Sequence, residues 1–242
     1  MIVEIPRWTN AKLEINKETR FNPIMQDRAN DTLRFVNNLF PYKGYLWNYG
    51  AFPQTWEDPN RISLATQYRG DNDPIDVIEI GDRVASVGEI LPVKILGIVA
   101  LVDDNETDWK VVVINVRDPL APKIHDITDV DTYKPGLLNA TNHWFEMYKT
   151  PTGQDPNRIV FGGQTKNKTF ATKVILDTHM SWKALINGTT DKKNIQTVAP
   201  NTSLPPETAQ PPAPIDPSID KWCDILWIES CLNITTGRQQ GS

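Results

Sequence analysis

No stretch of this 242-residue chain approaches the roughly eighteen consecutive apolar residues that cross a bilayer, and its opening residues hold no apolar leader core. Neither a membrane span nor export is therefore expected. Cysteine is scarce: Cys223 and Cys231 stand eight positions apart, a spacing that suits neither a zinc knuckle nor a redox pair. Two thiols and no leader read as a reduced, cytoplasmic protein, in which the Asn-x-Ser/Thr sequences at Asn30, Asn105 and Asn139 are chance. Positive charge is also short, 25 Lys and Arg against 30 Asp and Glu, for a net charge of −5. That balance argues against nucleic acid, whose backbone is bound by clustered cations. The three histidines, His125, His143 and His179, are scattered and read as structural or surface residues. The GxxxxGK loop, GxGxxG, HExxH and GxSxG are all missing, which sets aside P-loop, dinucleotide, zinc-protease and serine-hydrolase chemistry.

What is present is a chain with 39% apolar and 23% charged residues, enough for one sizeable core. MIVEIPRWTNAKLEI alternates and reads as extended, with Lys12 and Glu14 on one face of a strand. The aromatic stretch LRFVNNLFPYKGYLWNYGAFPQTW is broken by Gly and Pro and reads as short strands and loops. EILPVKILGIVALVDD and WKVVVINV are β-branched strands, so the first half predicts a barrel. The second half changes period. Leu138, Thr141, Trp144, Phe145 and Tyr148 predict a helix over 135–149, and Val174, Ile175, Trp182 and Leu185 another over 170–187, stopped at Gly188. Seven prolines over 200–217 exclude a helix there, so the chain divides into a folded unit at 1–199 and a Pro-rich, divergent tail at 200–242.

The chemistry lies in the acids. GDNDPIDVIEIG packs Asp71, Asp73 and Asp76 into six positions. In an extended chain Asp71 and Asp73 share a face, and a bend at Pro74 returns Asp76 toward them. A solvated turn would use the same residue types. A second acidic group, Asp103, Asp104, Glu106 and Asp108, sits at a strand–turn–strand junction, and both groups border long β-branched runs whose ends a barrel rim would gather. Glu4 and Glu14 could join them. Oxygen-only donors suit Mg2+ or Mn2+, while the spacing is not that of an EF-hand. Lys12, Arg34, Lys110 and Lys149, with Tyr45, Tyr49 and Tyr148, would complete a cage for a dense anion.

EIPRWTNAKLE, FPYKGYLWNYGAFPQTWEDP, GDNDPIDVIEIG, DDNETDWKV and the WFEMYK helix, in this order, resemble the family I soluble inorganic pyrophosphatases of eukaryotic type. The resemblance runs from about residue 2 to 190 and returns at Asp220-Lys221-Trp222. It implies an α+β fold, a twisted OB-like β-barrel with helices packed outside. It implies Mg2+-dependent hydrolysis of inorganic pyrophosphate by direct in-line attack of a metal-activated water. Asp71, Asp76 and Asp108 would bind the first metal, Asp76 a second, Asp103 and Asp108 a third, and Glu14 a further one. Arg34, Tyr148 and Lys149 would grip one phosphoryl group. Lys12 would contact the other, with Tyr49 and Lys110 close by. Asp73 would accept the proton of the attacking water, Tyr45 would donate one, and Glu4 matches an acidic site residue. Arg7, Trp8 and Trp222 match positions of a homodimer contact. Relatives carry a further segment ahead of EIPRW and differ after Trp222, so a shortened form is expected. The alternative is a non-catalytic scaffold, which would need none of Arg34, Tyr45, Asp73, Asp76, Asp108 or Lys149.

Overall fold

The computed structural model describes residues 1–197, so the Pro-rich tail, Trp222 and both cysteines lie outside the described residues. The order is β1 (Ile2–Ile5), β2 (Leu13–Ile15), β3 (Ile24–Gln26), β4 (Arg28–Ala29), β5 (Thr32–Leu33), β6 (Asn48–Ala51), β7 (Arg69–Gly70), β8 (Asp76–Glu79), β9 (Val93–Asp103) and β10 (Glu106–Asn115). Then come α1 (Ile127–Tyr133), α2 (Leu137–Met147), β11 (Arg158–Ile159), β12 (Lys166–Asn167) and α3 (Lys168–Ile186). Eight strands form one mixed sheet along the path β1-β6-β8-β10-β9-β11, with β12 also on β9 and β7 also on β10. β2–β3 and β4–β5 are separate hairpins. The architecture is the expected α+β, OB-like one, with helices packed on a twisted sheet.

The two long strands are apolar almost throughout because both faces of the sheet are covered. Along β10, Val112 and Ile114 enter one core cluster with Trp47, Trp144 and Phe145, and Val111 and Val113 enter the other with Ala171, Val174 and Ile175 of α3. Each such side chain contributes about 1.5–3 kcal/mol by leaving water. β9 and β10 turn through Asp104 and Asn105, both at positive φ (48° and 64°), the geometry a tight two-residue hairpin requires and one that Asp and Asn tolerate.

Two expectations change in detail. The helices run over Leu137–Met147 and Lys168–Ile186, and α1 was not anticipated. At seven residues α1 shows little period, and its signal was the capping box of Asp126 and Asp129. Asp71 and Asp73 are not in a strand: β7 ends at Gly70, and the acids occupy a turn with Asn72 at φ +70°. They are linked because Asp73 N–H donates to Asp71 Oδ1 at 2.9 Å, a side-chain-closed turn rather than strand alternation.

Candidate active site

Strand period builds the floor. Leu101 and Val99 of β9, Val112 and Ile114 of β10 and Ile78 of β8 belong to the first core cluster. Two residues further along the same faces stand Asp103, Lys110 and Asp108, and Asp76, so the charged groups are the polar end of one apolar layer. The parallel register of β8 and β10 places Lys110 beside Asp76. A β-bulge between Val3 and Ile5 sends these two side chains to different cores and leaves Glu4 lining the same cleft.

The result is a cleft of about 170 Å3. Its walls carry Glu4, Lys12 and Glu14 from β1 and the segment through β2, Tyr45 and Tyr49 from the aromatic stretch, Asp71, Asp73 and Asp76 from the acidic loop, Asp103, Asp108 and Lys110 from the long hairpin, and Tyr148 after α2. Arg34 and Lys149 do not line it. They join its rim through shared carboxylates: Asp27 accepts from both Lys12 (3.2 Å) and Arg34, and Asp103 accepts from Lys149 and from the Tyr148 hydroxyl at 3.2 Å. Lys12, just ahead of β2, also meets Glu14 of that strand at 2.6 Å.

Each cation thus has its acids. Lys110, 5% exposed, donates to Asp76 and Asp108, both at 2.5 Å, and to the Tyr49 hydroxyl at 2.9 Å. Burial works against its charge, but Asp108 and Asp76 overcome this and hold its pKa well above the ordinary lysine value. Lys17 pairs with Asp73. Three acids at the site, Glu4, Asp71 and Glu57, have no such partner among the described residues. Asp71 and Glu57 form no ion pair, and Glu57 Oε2 is a buried oxygen without any hydrogen bond, while its Oε1 accepts only a long bond from Trp109 N–H, 3.3 Å. Oxygens of Glu57, Asp71 and Asp108 lie within 4.8 Å of one another. Burial, then their mutual repulsion, pushes Glu57 and Asp71 well above the usual carboxylate range. Burial raises Asp108 too, against the pull of Lys110. Three converging carboxylate oxygens, two of them on acids without a cation, fit a hard divalent cation.

The sequence-based set is brought together at one cleft and its rim. Its close metal-type triad, however, is Glu57, Asp71 and Asp108, with Asp76 turned onto Lys110 and Tyr49. Glu57, Asp27 and Lys17 were missed. Glu57 is in a loop beside Trp56 rather than in either acidic run, and only the antiparallel β2–β3 pairing brings Asp27 back to Lys12. Tyr45 is buried, and burial raises its pKa, so the phenol stays protonated.

Glu4 gives a pH prediction. Burial, then Asp76, pushes it up from 4.5 to about 8, against the lowering effect of Ile15 N–H at 2.7 Å. A carboxyl raised in the folded state adds stability that is full below its unfolded pKa and is lost as pH rises through the folded one. Metal-free protein should therefore weaken between about pH 4.5 and 8. In chelator, Glu4→Gln should flatten the drop in urea midpoint between about pH 6 and pH 9. A variant as pH-sensitive as the parent would remove Glu4 from this account.

A cluster of buried acids and lysines at one end of an OB-like sheet suits a protein that handles a polyanion. The chain belongs to the inorganic pyrophosphatase family: the family model described as "Pyrophosphatase: Inorganic pyrophosphatase" matches residues 1–183. Similar proteins include the inorganic pyrophosphatase of Neurospora crassa, 54% identical over 235 residues, covering 92% of this chain and 81% of that protein. Among solved structures, the inorganic pyrophosphatase from Schistosoma japonicum superposes with a TM-score of 0.80 at 54% identity, over 81% of this chain and 70% of that one. An N-terminally truncated Trypanosoma cruzi vacuolar soluble pyrophosphatase in complex with PPi gives 0.74 at 45% identity, over 77% and 69%. No helix among the described residues is long and apolar enough to cross a membrane.

Proposed function

We propose that this chain hydrolyses inorganic pyrophosphate to two orthophosphates with Mg2+. The observation that carries the reading is the convergence of Glu57, Asp71 and Asp108, of which Asp71 and Asp108 line one cleft with Lys12, Lys110 and three tyrosines. Glu57, Asp71 and Asp108 would hold one ion, and Asp76, Asp103 and Glu14 further ones. Divalent ions there supply charge neutralisation and acidify water. Asp73, at the mouth with its side chain 45% exposed, accepts the proton of the attacking water on a carboxylate oxygen. Arg34, Lys149 and the Tyr148 hydroxyl grip one phosphoryl group, and Lys12 grips the other with Lys110 and Tyr49 close by. The protonated Tyr45 hydroxyl serves as the proton donor. Asp27 and Asp103 already hold four of these groups near the site, so less order has to be imposed when the anion arrives.

A scaffold has no need of this convergence. Trp8 is 51% exposed with the Arg7 guanidinium 5.3 Å above its ring, which supports a homodimer through that face; the third residue of that expectation, Trp222, lies outside the described residues. A cytoplasmic location belongs to the same reading and rests on the cysteine count. The test is phosphate release from pyrophosphate by the purified chain. Two phosphates per pyrophosphate in Mg2+, nothing in EDTA, and poor release in Ca2+, whose looser coordination orders the site less well, are expected. No release in Mg2+ from a folded protein would refute the activity, and full release in Ca2+ would refute the metal assignment.

A further inference from the structure

The loop carrying Asp71 and Asp73 is braced from behind. Trp56 Nε1–H donates to Asn72 Oδ1 at 3.0 Å. Asn72 is the residue between the two acids and sits at φ +70°, a conformation Asn tolerates better than most residues. Trp56 directly precedes Glu57, the acid with the orphan oxygen. The backbone ties the two segments together as well: Asn72 N–H donates to Glu57 O at 2.9 Å, and Glu57 N–H donates to Asp73 O at 2.8 Å.

Trp56 is itself fixed. The residue is 2% exposed and packs with Leu185, Ile195 and Trp182, and its backbone N–H donates to Thr178 O of α3 at 3.0 Å. The next residue of α3, His179, stacks on Trp182 at 5.5 Å and bonds Gln54 O at 2.8 Å, anchoring the chain just before Trp56. The Trp56 indole, held on α3, thus adds one side-chain hydrogen bond to the two backbone bonds that tie this segment to the loop carrying Asp71.

We propose that Trp56 and Asn72 are positioning residues: their hydrogen bond is a strut that sets Asp71 against Glu57, so that the pair can close on a divalent ion. This rests on the reading that Glu57, Asp71 and Asp108 hold such an ion. Removing partners that orient metal ligands typically weakens metal affinity about 10–100-fold.

The experiment measures Mg2+ binding to the metal-free full chain by calorimetry. Asn72→Gly removes the acceptor while allowing positive φ, Trp56→Phe removes the donor while keeping a ring, and Asn72→Asp keeps an acceptor oxygen. Each of the first two should weaken Mg2+ about 10-fold, and the double variant should be no worse than the weaker single, since both break one bond. Asn72→Asp should bind at least as tightly as the parent. In turnover, Asn72→Gly should need about 10-fold more Mg2+ for its half-maximal rate, with the rate at saturating Mg2+ within about twofold of the parent's. General damage to the loop would lower the saturated rate instead. Parent-like affinity in Asn72→Gly, or additive losses in the double variant, overturns the strut and leaves the metal reading intact. A parent chain that takes up no Mg2+ overturns the metal reading, and the strut's role with it. If Trp56→Phe fails to fold, Asn72→Gly and Asn72→Asp still decide the matter.

Discussion

Lys110→Met is expected to abolish phosphate release and to destabilise the metal-free protein by about 3–5 kcal/mol, the usual cost of removing one partner from a buried charged cluster. Lys110 is 5% exposed and holds Asp76 (17%) and Asp108 (11%) together, both at 2.5 Å. Methionine fills nearly the same space, so packing changes little while two buried carboxylates lose their counter-charge. Both must then protonate or repel. Saturating Mg2+ should return part of the loss, about 2.7 kcal/mol at a hundredfold excess over Kd, because the ion binds only the folded chain. Denaturant unfolding in EDTA and in Mg2+ reads both effects. Unchanged stability in EDTA would mean that the two acids are already neutral, and that Lys110 does not hold them.

Asp73→Ala should lower the phosphate release rate about 10²–10⁴-fold, the usual contribution of a positioned base. It should scarcely affect folding. The side chain is 45% exposed and its ion pair is with a Lys17 that is 25% exposed, so its loss is worth about 0–1 kcal/mol. The bond from Glu57 N–H to Asp73 O is a backbone one and survives the substitution. The Asp73 pKa is raised by desolvation against the pull of Lys17. Asp73→Asn separates charge from shape, and its rate should fall as far as that of the alanine variant. Parent-like release from either variant would remove Asp73 from the proton transfer.

Legibility followed sequence separation. The β9–β10 hairpin could be read because its apolar run and its turn residues are contiguous, and α2 because Thr141, Trp144 and Phe145 repeat at helical spacing. Lys12 and Glu14 were expected to share a face from their spacing of two, and they meet at 2.6 Å, although Lys12 lies just before β2. Asp27 and Glu57 were not legible, since neither lies in an acidic run. One reaches the site by strand pairing, the other through a loop held on α3. The spacing of Asp71 and Asp73 fits both an extended chain and a turn, so the sequence leaves the two open. The choice was made by Asn72 at positive φ, bonded to a tryptophan sixteen positions away.

The sequence alone determined the supply of chemistry: clustered oxygen donors with no clustered cysteine or histidine, enough lysine, arginine and tyrosine to hold a condensed anion, and apolar runs that demand a sheet covered on both faces. These are properties of side-chain type and of short-range period. Only the tertiary structure decided which acids keep a lysine and which are left without one. Pairing depends on distances across strands β8, β9 and β10 and on the depth at which each carboxylate is cut off from water. Those quantities set the electrostatic energy of a buried charge, and they exist only once the chain has closed around it.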